Sequence, residues 1–404
     1  MSALPLAGIR VTDFTWIGAG SYTTKLLADF GADIIKIETS TRLDTLRETA
    51  PFRDGKPGVN RSGYFADRNA SKRSITLNLK HPDAVKLAHK LVAQSDIVAN
   101  NFTPGTMEKL GLGYQDVLAV RPDIIYLAMS MQGSTGPDAN YVGFGLTIGA
   151  LTGLQHLAGP VDRPPVGTGT NYPDHVPNPC HAAFALLAAL YHRKKTGQGQ
   201  LIDFAQTEPT IALLGPAIID YTANGRIAQR RGNDDENAIL HGVDPCSGKD
   251  RWIAVSVHSP QQWRAFIELL GPIPGGRNWN DAAVRREYRS EFEQAICEVT
   301  RNRDARDIMR VLQGRGVAAG MVQNARDLID QDPQFAHRGH WVRLQHPEMG
   351  RSVYNAPPMR FSETPAQLRR PAPLLGQHTR EICRDLLAVG DEDFARLEAE
   401  GVFK

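Results

Sequence analysis

Between Gly169 and Cys180 the chain reads Gly-Thr-Asn-Tyr-Pro-Asp-His-Val-Pro-Asn-Pro-Cys, which presents a single carboxylate, Asp174, at the mouth of an apolar helix. An acid fixed in such a place can serve as a nucleophile or a base. It can also be no more than a charge favoured by the helix dipole. Pro173 and Pro177 restrict the backbone on either side, so the carboxylate sits on a stiff turn. The helix is read from about His181 through a stretch dense in Ala and Leu. Its last turn is basic (His192, Arg193, Lys194, Lys195) and Gly197 stops it.

Three other segments carry groups able to meet an anionic ligand. Gly18-Ala-Gly20 in the first βα turn resembles the start of a dinucleotide fingerprint, and Glu38 stands where a ribose-binding acid would. Thr23 occupies the third glycine's place, which argues against NAD while leaving helix N–H groups for an anion. In Asp67-Arg-Asn-Ala-Ser-Lys72-Arg73-Ser-Ile-Thr-Leu-Asn-Leu-Lys80, three cations bracket a strand, an arrangement that suits a diphosphate or a solvated surface. In Asn100-Asn101-Phe102-Thr-Pro104-Gly105, a strand end runs into a short helix. Phe102 is placed to stack on a base and Lys109 to meet a phosphate, or both simply pack.

Some chemistries find no support. His175, His181 and His192 lie near the Asp174 turn without metal-ligand spacing, so no metal is expected. The four cysteines (Cys180, Cys246, Cys297, Cys383) form no C-x-x-C pair and are expected to be small, partly buried hydrophobes. No G-x-S-x-G elbow is present. A formal net charge of +2 argues against general nucleic-acid binding. No apolar run has the length of a membrane span, and Met1–Val11 does not read as a secretory leader, so a cytoplasmic location is expected.

The elements that must position these groups are those of an α/β fold. At 404 residues the chain is too long for one ordinary core, which implies two domains or one with a large insertion. Strands are expected at Gly8–Phe14, Ala32–Glu38, Ser74–Leu79, Asp96–Asn100, Ile124–Met129 and Leu201–Phe204. Helices fall between them at Ser21–Phe30 and Pro82–Ala93. This alternation predicts a large, doubly wound, mainly parallel sheet. Residues 40–73 read as a long polar loop, and Thr207–Thr222 as one apolar helix. The basic, turn-rich passage at 224–233 marks a boundary. The domains are therefore drawn as 1–224, a large Rossmann-like domain; 225–330, a small α/β domain; and 331–404, a tail that packs on another domain or on a second subunit. The small domain is expected to hold a strand at Trp252–Val257 and helices at 261–270, 286–300 and 303–315.

Taken together the segments resemble the class III CoA-transferase family, which includes formyl-CoA transferase and the carnitine CoA-transferase. The resemblance runs through LAGIRVTDFT, GAG with LLADFGADIIKIE, NASKRSITLNLK, NNFTPGTMEKLGLGY, IIYLAMSMQGSTGP, HRKKTGQGQ, RRGN with HGV, DRWIAVSV, GVAAGMVQNARDLIDQDPQF and RPAPLLGQHT. It covers nearly the whole chain. It implies Asp174 as a covalent nucleophile that forms an aspartyl anhydride and then an aspartyl–CoA thioester, with no tightly bound cofactor and coenzyme A arriving as part of the substrate. It further implies Ala19, Leu77, Lys80, Asn101, Phe102 and Lys109 as CoA contacts, with Trp16, Ile17 and Tyr141 nearby. An interlocked dimer, or a heteromer with a homologous subunit, is also implied.

This chain departs from the family pattern in places. Gly18 replaces a glutamine, which reads as room for a larger acyl group. Thr103 replaces an arginine, and no glycine-rich covering loop is evident around His258–Gln262. Trp16–Gly20 and Tyr172 look like the members that handle dicarboxylic or aryl-substituted acids, such as the succinyl-CoA-dependent benzylsuccinate transferases. The related α-methylacyl-CoA racemases place a histidine base where this chain has Phe144, so proton abstraction loses its partner. A non-catalytic CoA-binding subunit would have no need of Asp174.

Overall fold

The computed structural model describes residues 4–235 and 237–404. Six strands, β1 (Arg10–Asp13), β2 (Asp33–Glu38), β3 (Arg73–Thr76), β4 (Ile97–Asn100), β5 (Ile125–Ala128) and β6 (Gln200–Asp203), form one sheet in the order β3-β2-β1-β4-β5-β6. Every neighbouring pair is parallel. Their apolar runs serve both faces, because successive side chains alternate across a strand. Ile35, Ile37, Val98 and Tyr126 pack on one face. Ile34, Ile97, Ala99, Ile125 and Leu127 pack on the other. Strand order reverses between β1 and β4, and in doubly wound sheets ligands bind in the crevice beyond the carboxyl ends of the strands at that switch.

The helices preceding β6 are α1 (Ile17–Asp29), α2 (Gly63–Asn69), α3 (Pro82–Val92), α4 (Thr106–Lys109), α5 (Tyr114–Val120), α6 (Gly145–Leu151), α7 (Tyr172–His175) and α8 (Pro177–Thr196). Several differ from the sequence reading. α1 starts at Ile17, not Ser21, so Gly18-Ala-Gly20 lies inside its first turn. The helix expected from His181 begins at Pro177, since Pro177 and Pro179 occupy the first turn, where a missing N–H forfeits no helical bond. Asp174 belongs to a separate single turn, α7. The expected loop at 40–73 contains 3₁₀ turns at Thr45–Glu48 and Arg53–Gly55 and the helix α2. Ser62 Oγ caps α2 by accepting from Phe65 N–H at 3.2 Å. The apolar stretch after β6 is two helices, α9 (Thr207–Ala212) and α10 (Gly215–Asn224), because Gly215-Pro216 starts a new one.

The chain divides into two compact units. One comprises the residues through His156, Gly167–Ala228 and Gln334–Lys404; the other comprises Leu157–Val166 and Gln229–Pro333. The second therefore includes an excursion at Leu157–Val166 that nothing in the sequence announced. Its antiparallel strands β7 (Leu240–Pro245), β8 (Trp252–Val257) and β9 (Ala318–Met321) carry helices α11 (Pro260–Leu270), α12 (Ala282–Glu287), α13 (Arg289–Thr300) and α14 (Ala305–Gly314) around Trp263, Phe266, Phe292 and Leu312.

The tail adds α15 (Pro333–Arg338), the antiparallel pair β10 (Trp341–His346) and β11 (Gly350–Asn355), then α16 (Thr379–Asp385) and α17 (Asp391–Ala399). Ile382, Cys383, Phe394 and Leu397 complete the core over one face of the large sheet. Cys246 and Cys383 are buried, whereas Cys180 is exposed, contrary to the expectation of burial. Among the described residues, no helix is long and apolar enough to cross a membrane.

Candidate active site

A cavity of about 1190 Å³ opens within the large unit where segments following β1, β2, β3 and β4 converge. Asp174 lines it together with Trp16, Ile17, Ala19, Leu77, Lys80, Asn101, Phe102, Lys109 and Tyr141, so the residues singled out in the sequence are brought to one space. Asn101 has a defined structural task there. Its Oδ1 accepts from Trp16 N–H at 2.8 Å and its Nδ2 donates to Trp16 O at 2.7 Å, clamping the entry to α1. Phe102 meets the Trp16 ring edge-on at 5.6 Å.

Arg42, from the segment after β2, lies 5.4 Å from the centroid of the Trp16 ring and also lines the cavity. Sequence reasoning missed it because it sits in the stretch read as an undifferentiated polar loop. Gln206 lines the cavity as well and donates to Met129 O at 2.9 Å. Arg42, Lys80 and Lys109 give the cavity three cations that make no ion pair within the described residues.

Two sequence candidates prove to be scaffold. Lys72 is wholly buried, donating to Asp13 Oδ2 at 3.1 Å, Thr24 Oγ1 at 2.7 Å and Asn69 Oδ1 at 2.9 Å. Arg73 is bidentate to Asp33 at 3.0 and 2.6 Å and reaches Glu381 at 3.1 Å. Of the three cations bracketing β3, only Lys80 faces the cavity. Glu38 reaches the cavity wall, but its carboxylate is held in a fork by Arg47 at 2.8 and 2.7 Å and accepts from Ser74 Oγ at 2.7 Å. Those oxygens are engaged and do not await a ribose.

Asp174 is only 3% exposed. Its Oδ2 accepts from Gly145 N–H, the first residue of α6, at 3.1 Å. Two glycines let the backbone close on it. A Cβ at Gly145 would lie 3.0 Å from Asp174 Oδ2, and one at Gly18 would lie 3.0 Å from Asp174 Cβ and 3.4 Å from Tyr64 Oη. Gly18 is thus the place where Asp174 packs against α1, and it also lines the cavity. Burial pushes the Asp174 carboxyl up to about 6, opposed by the Gly145 N–H and the charge of Arg68.

His175 beside it is not free to act as a base. Its Nδ1 accepts from Arg68 at 3.0 Å, and Nε2 is 3.3 Å from Tyr64 Oη. Burial and the Arg68 charge pull it down to about 4. Phe144, where the racemases carry their histidine, lines the cavity and offers no proton acceptor. Among the described residues, one group of metal-capable side chains comes together, His81 with Asp83 and Glu400, and none of the three lines the cavity.

A doubly wound sheet with a buried acid lining the cavity defines an α/β protein with a carboxylate at its candidate site. The comparisons with known proteins carry this further. The model of CoA-transferase family III matches residues 6–379, and the chain belongs to that family. It is 31% identical over 401 residues to the succinyl-CoA–D-citramalate CoA-transferase of Chloroflexus aurantiacus, covering 98% of each chain. To the succinyl-CoA:glutarate CoA-transferase of Homo sapiens it is 29% identical over 401 residues, covering 98% of this chain and 90% of that one. The crystal structure of a CAIB/BAIF family protein from Brucella suis superposes with a TM-score of 0.86 at 28% identity, covering 95% of this chain and 100% of that one. The protein is a CoA-transferase of the EC 2.8.3 type, for which coenzyme A is part of the substrate.

Proposed function

We propose that the protein moves CoA from succinyl-CoA to a dicarboxylic acid and that Asp174 is the covalent carrier. The observation that carries this reading is a buried carboxylate, unpaired by any cation, facing a cavity large enough for an acyl-CoA. The names of the two relatives above, with succinyl-CoA as donor and dicarboxylic acids as acceptors, support the substrate class. The exposed rings of Tyr141 and Phe144, with Val142, give the cavity an apolar side that suits an acceptor bearing an aryl group, such as benzylsuccinate.

An Asp174 oxygen attacks the thioester carbonyl of the donor; CoA thiolate leaves and a mixed anhydride forms. The thiolate then attacks the aspartyl carbonyl, expelling the donor acid with the bridging oxygen and leaving an aspartyl–CoA thioester. The acceptor carboxylate displaces the thiolate to form a second anhydride, and the thiolate attacks the acceptor's acyl carbon, which frees Asp174 and the new acyl-CoA. Thioester energy is conserved throughout, so a weak nucleophile suffices. Arg42, Lys80 and Lys109 meet the phosphates, and Trp16 and Phe102 offer ring faces to the adenine. Phe184, Leu187 and Tyr191, spaced along α8 at i, i+3 and i+7, are exposed and suit contact with a second copy of the chain.

Oxygen exchange tests the mechanism. An acceptor labelled with ¹⁸O in its carboxylate passes label to Asp174 in one turnover and from there to released succinate in the next. Direct transfer of CoA between the two acids would leave Asp174 unlabelled.

A further inference from the structure

Ile17 is a β-branched residue with φ of +59°, a left-handed conformation that such side chains rarely adopt. It lies between Trp16, which is extended at φ −122° and ψ 167°, and Gly18, which abuts Asp174. The bend at Ile17 turns the chain leaving β1 into α1 and sets the bare α-carbon of Gly18 against the nucleophile. A conformation of this kind persists only where its surroundings over-determine it.

Those surroundings are specific. Asp44, 1% exposed, accepts from Ile17 N–H at 3.2 Å and from Leu46 N–H at 3.0 Å through Oδ1. Its Oδ2 is ion-paired at 3.0 Å with Nζ of Lys36, itself wholly buried. Lys36 also donates to Thr15 O at 2.5 Å. The Asp44–Lys36 pair therefore grips the backbone on both sides of Trp16.

We propose that Asp44 is a positioning residue for the transfer reaction, holding Ile17 in the left-handed conformation so that Gly18 and the first turn of α1 present the acyl group to Asp174. Asp44 touches no substrate and acts through Ile17. This rests on Asp174 being the acyl acceptor.

The test is a double-mutant cycle of Asp44→Asn, whose single oxygen cannot serve both Lys36 and the backbone N–H groups of Ile17 and Leu46, and Ile17→Gly. Glycine adopts positive φ without strain, so it makes the clamp unnecessary. In Asp44→Asn, kcat falls about 10- to 100-fold with KM for succinyl-CoA nearly unchanged, the scale expected when reacting groups are misplaced. In the double variant, kcat returns to within about threefold of Ile17→Gly alone. Overturning results are wild-type kcat in Asp44→Asn, a loss that Ile17→Gly does not restore, or failure of both Asp44 variants to fold, which would make Asp44 a support of the whole domain. Covalent labelling of Asp174 by succinyl-CoA is followed in parallel. Wild-type enzyme that never labels defeats the covalent mechanism itself, whereas labelled wild type with an unaffected Asp44→Asn defeats only the positioning role.

Discussion

Asp13 and Glu38 are as deeply buried as Asp174, yet the three acids are pushed in opposite directions. Burial raises Asp13, but Lys72, Lys36 and the hydroxyls of Thr15 and Thr24 outweigh it and hold the carboxyl below its usual range. Glu38 is likewise raised by burial and brought below its usual range by Arg47, Lys36 and Ser74. Asp174 receives one backbone N–H and no ion pair, and burial prevails. Asp13 and Glu38 are held as anions by their charged neighbours and serve as scaffold, while Asp174, with no ion pair and only the charge of Arg68 to oppose burial, is pushed up to about 6. A raised pKa does not mark the site by itself. Asp29, although ion-paired with Lys25 at 2.6 Å, and Asp244 are also pushed up to about 6 by burial, and neither lines the cavity.

The contrast can be broken most severely at Asp174. Asp174→Ala should lower kcat by about 10³-fold or more while CoA still binds, since a covalent carrier has no substitute; isothermal titration with CoA beside steady-state assays checks both halves. With Asp174 intact, kcat/KM should fall as pH drops through about 6, because the protonated acid cannot attack.

On the scaffold side, Asp13→Ala leaves Lys72 buried without its partner and should cost about 3–5 kcal/mol in a urea titration. A loss under about 1 kcal/mol would remove the distinction between the two sets of acids.

Asp174→Asn should instead stabilise the protein. The folded carboxyl titrates near 6 against 3.8 for the ordinary group, so ionised Asp174 opposes folding. The penalty is absent below about pH 4, grows as pH rises to about 6 and is constant above, on the order of 2–3 kcal/mol. The asparagine variant should therefore gain stability at pH 7.5 and lose that advantage near pH 4 in denaturant titrations.

The smallest effects belong to the cavity cations. Arg42→Ala and Lys109→Ala should each raise KM for succinyl-CoA about 5- to 20-fold with kcat little changed, and the rise should shrink in high salt.

The central strands were legible because parallel-sheet strands are continuous apolar runs, and β8 falls on the expected residues Trp252–Val257. The placement of Asp174 ahead of a long helix was legible because prolines frame it. The scaffold acids were not, since Asp13 meets Lys72 across 59 positions and no local pattern records such a pairing. For the same reason Lys72 and Arg73 read as ligands of a diphosphate or as solvated surface charge: a sequence does not tell whether a cation faces solvent or a buried acid. The 40–73 segment misled through its polarity. Arg47 and Asp44, which make it look like a loop, are buried within the fold.

The most direct measurement is the mass of the peptide carrying Asp174 after the protein is incubated with succinyl-CoA and trapped with hydroxylamine. The covalent mechanism predicts conversion of Asp174 to its hydroxamate, dependent on succinyl-CoA and absent in Asp174→Asn. An unmodified Asp174 in enzyme that is turning over would contradict it.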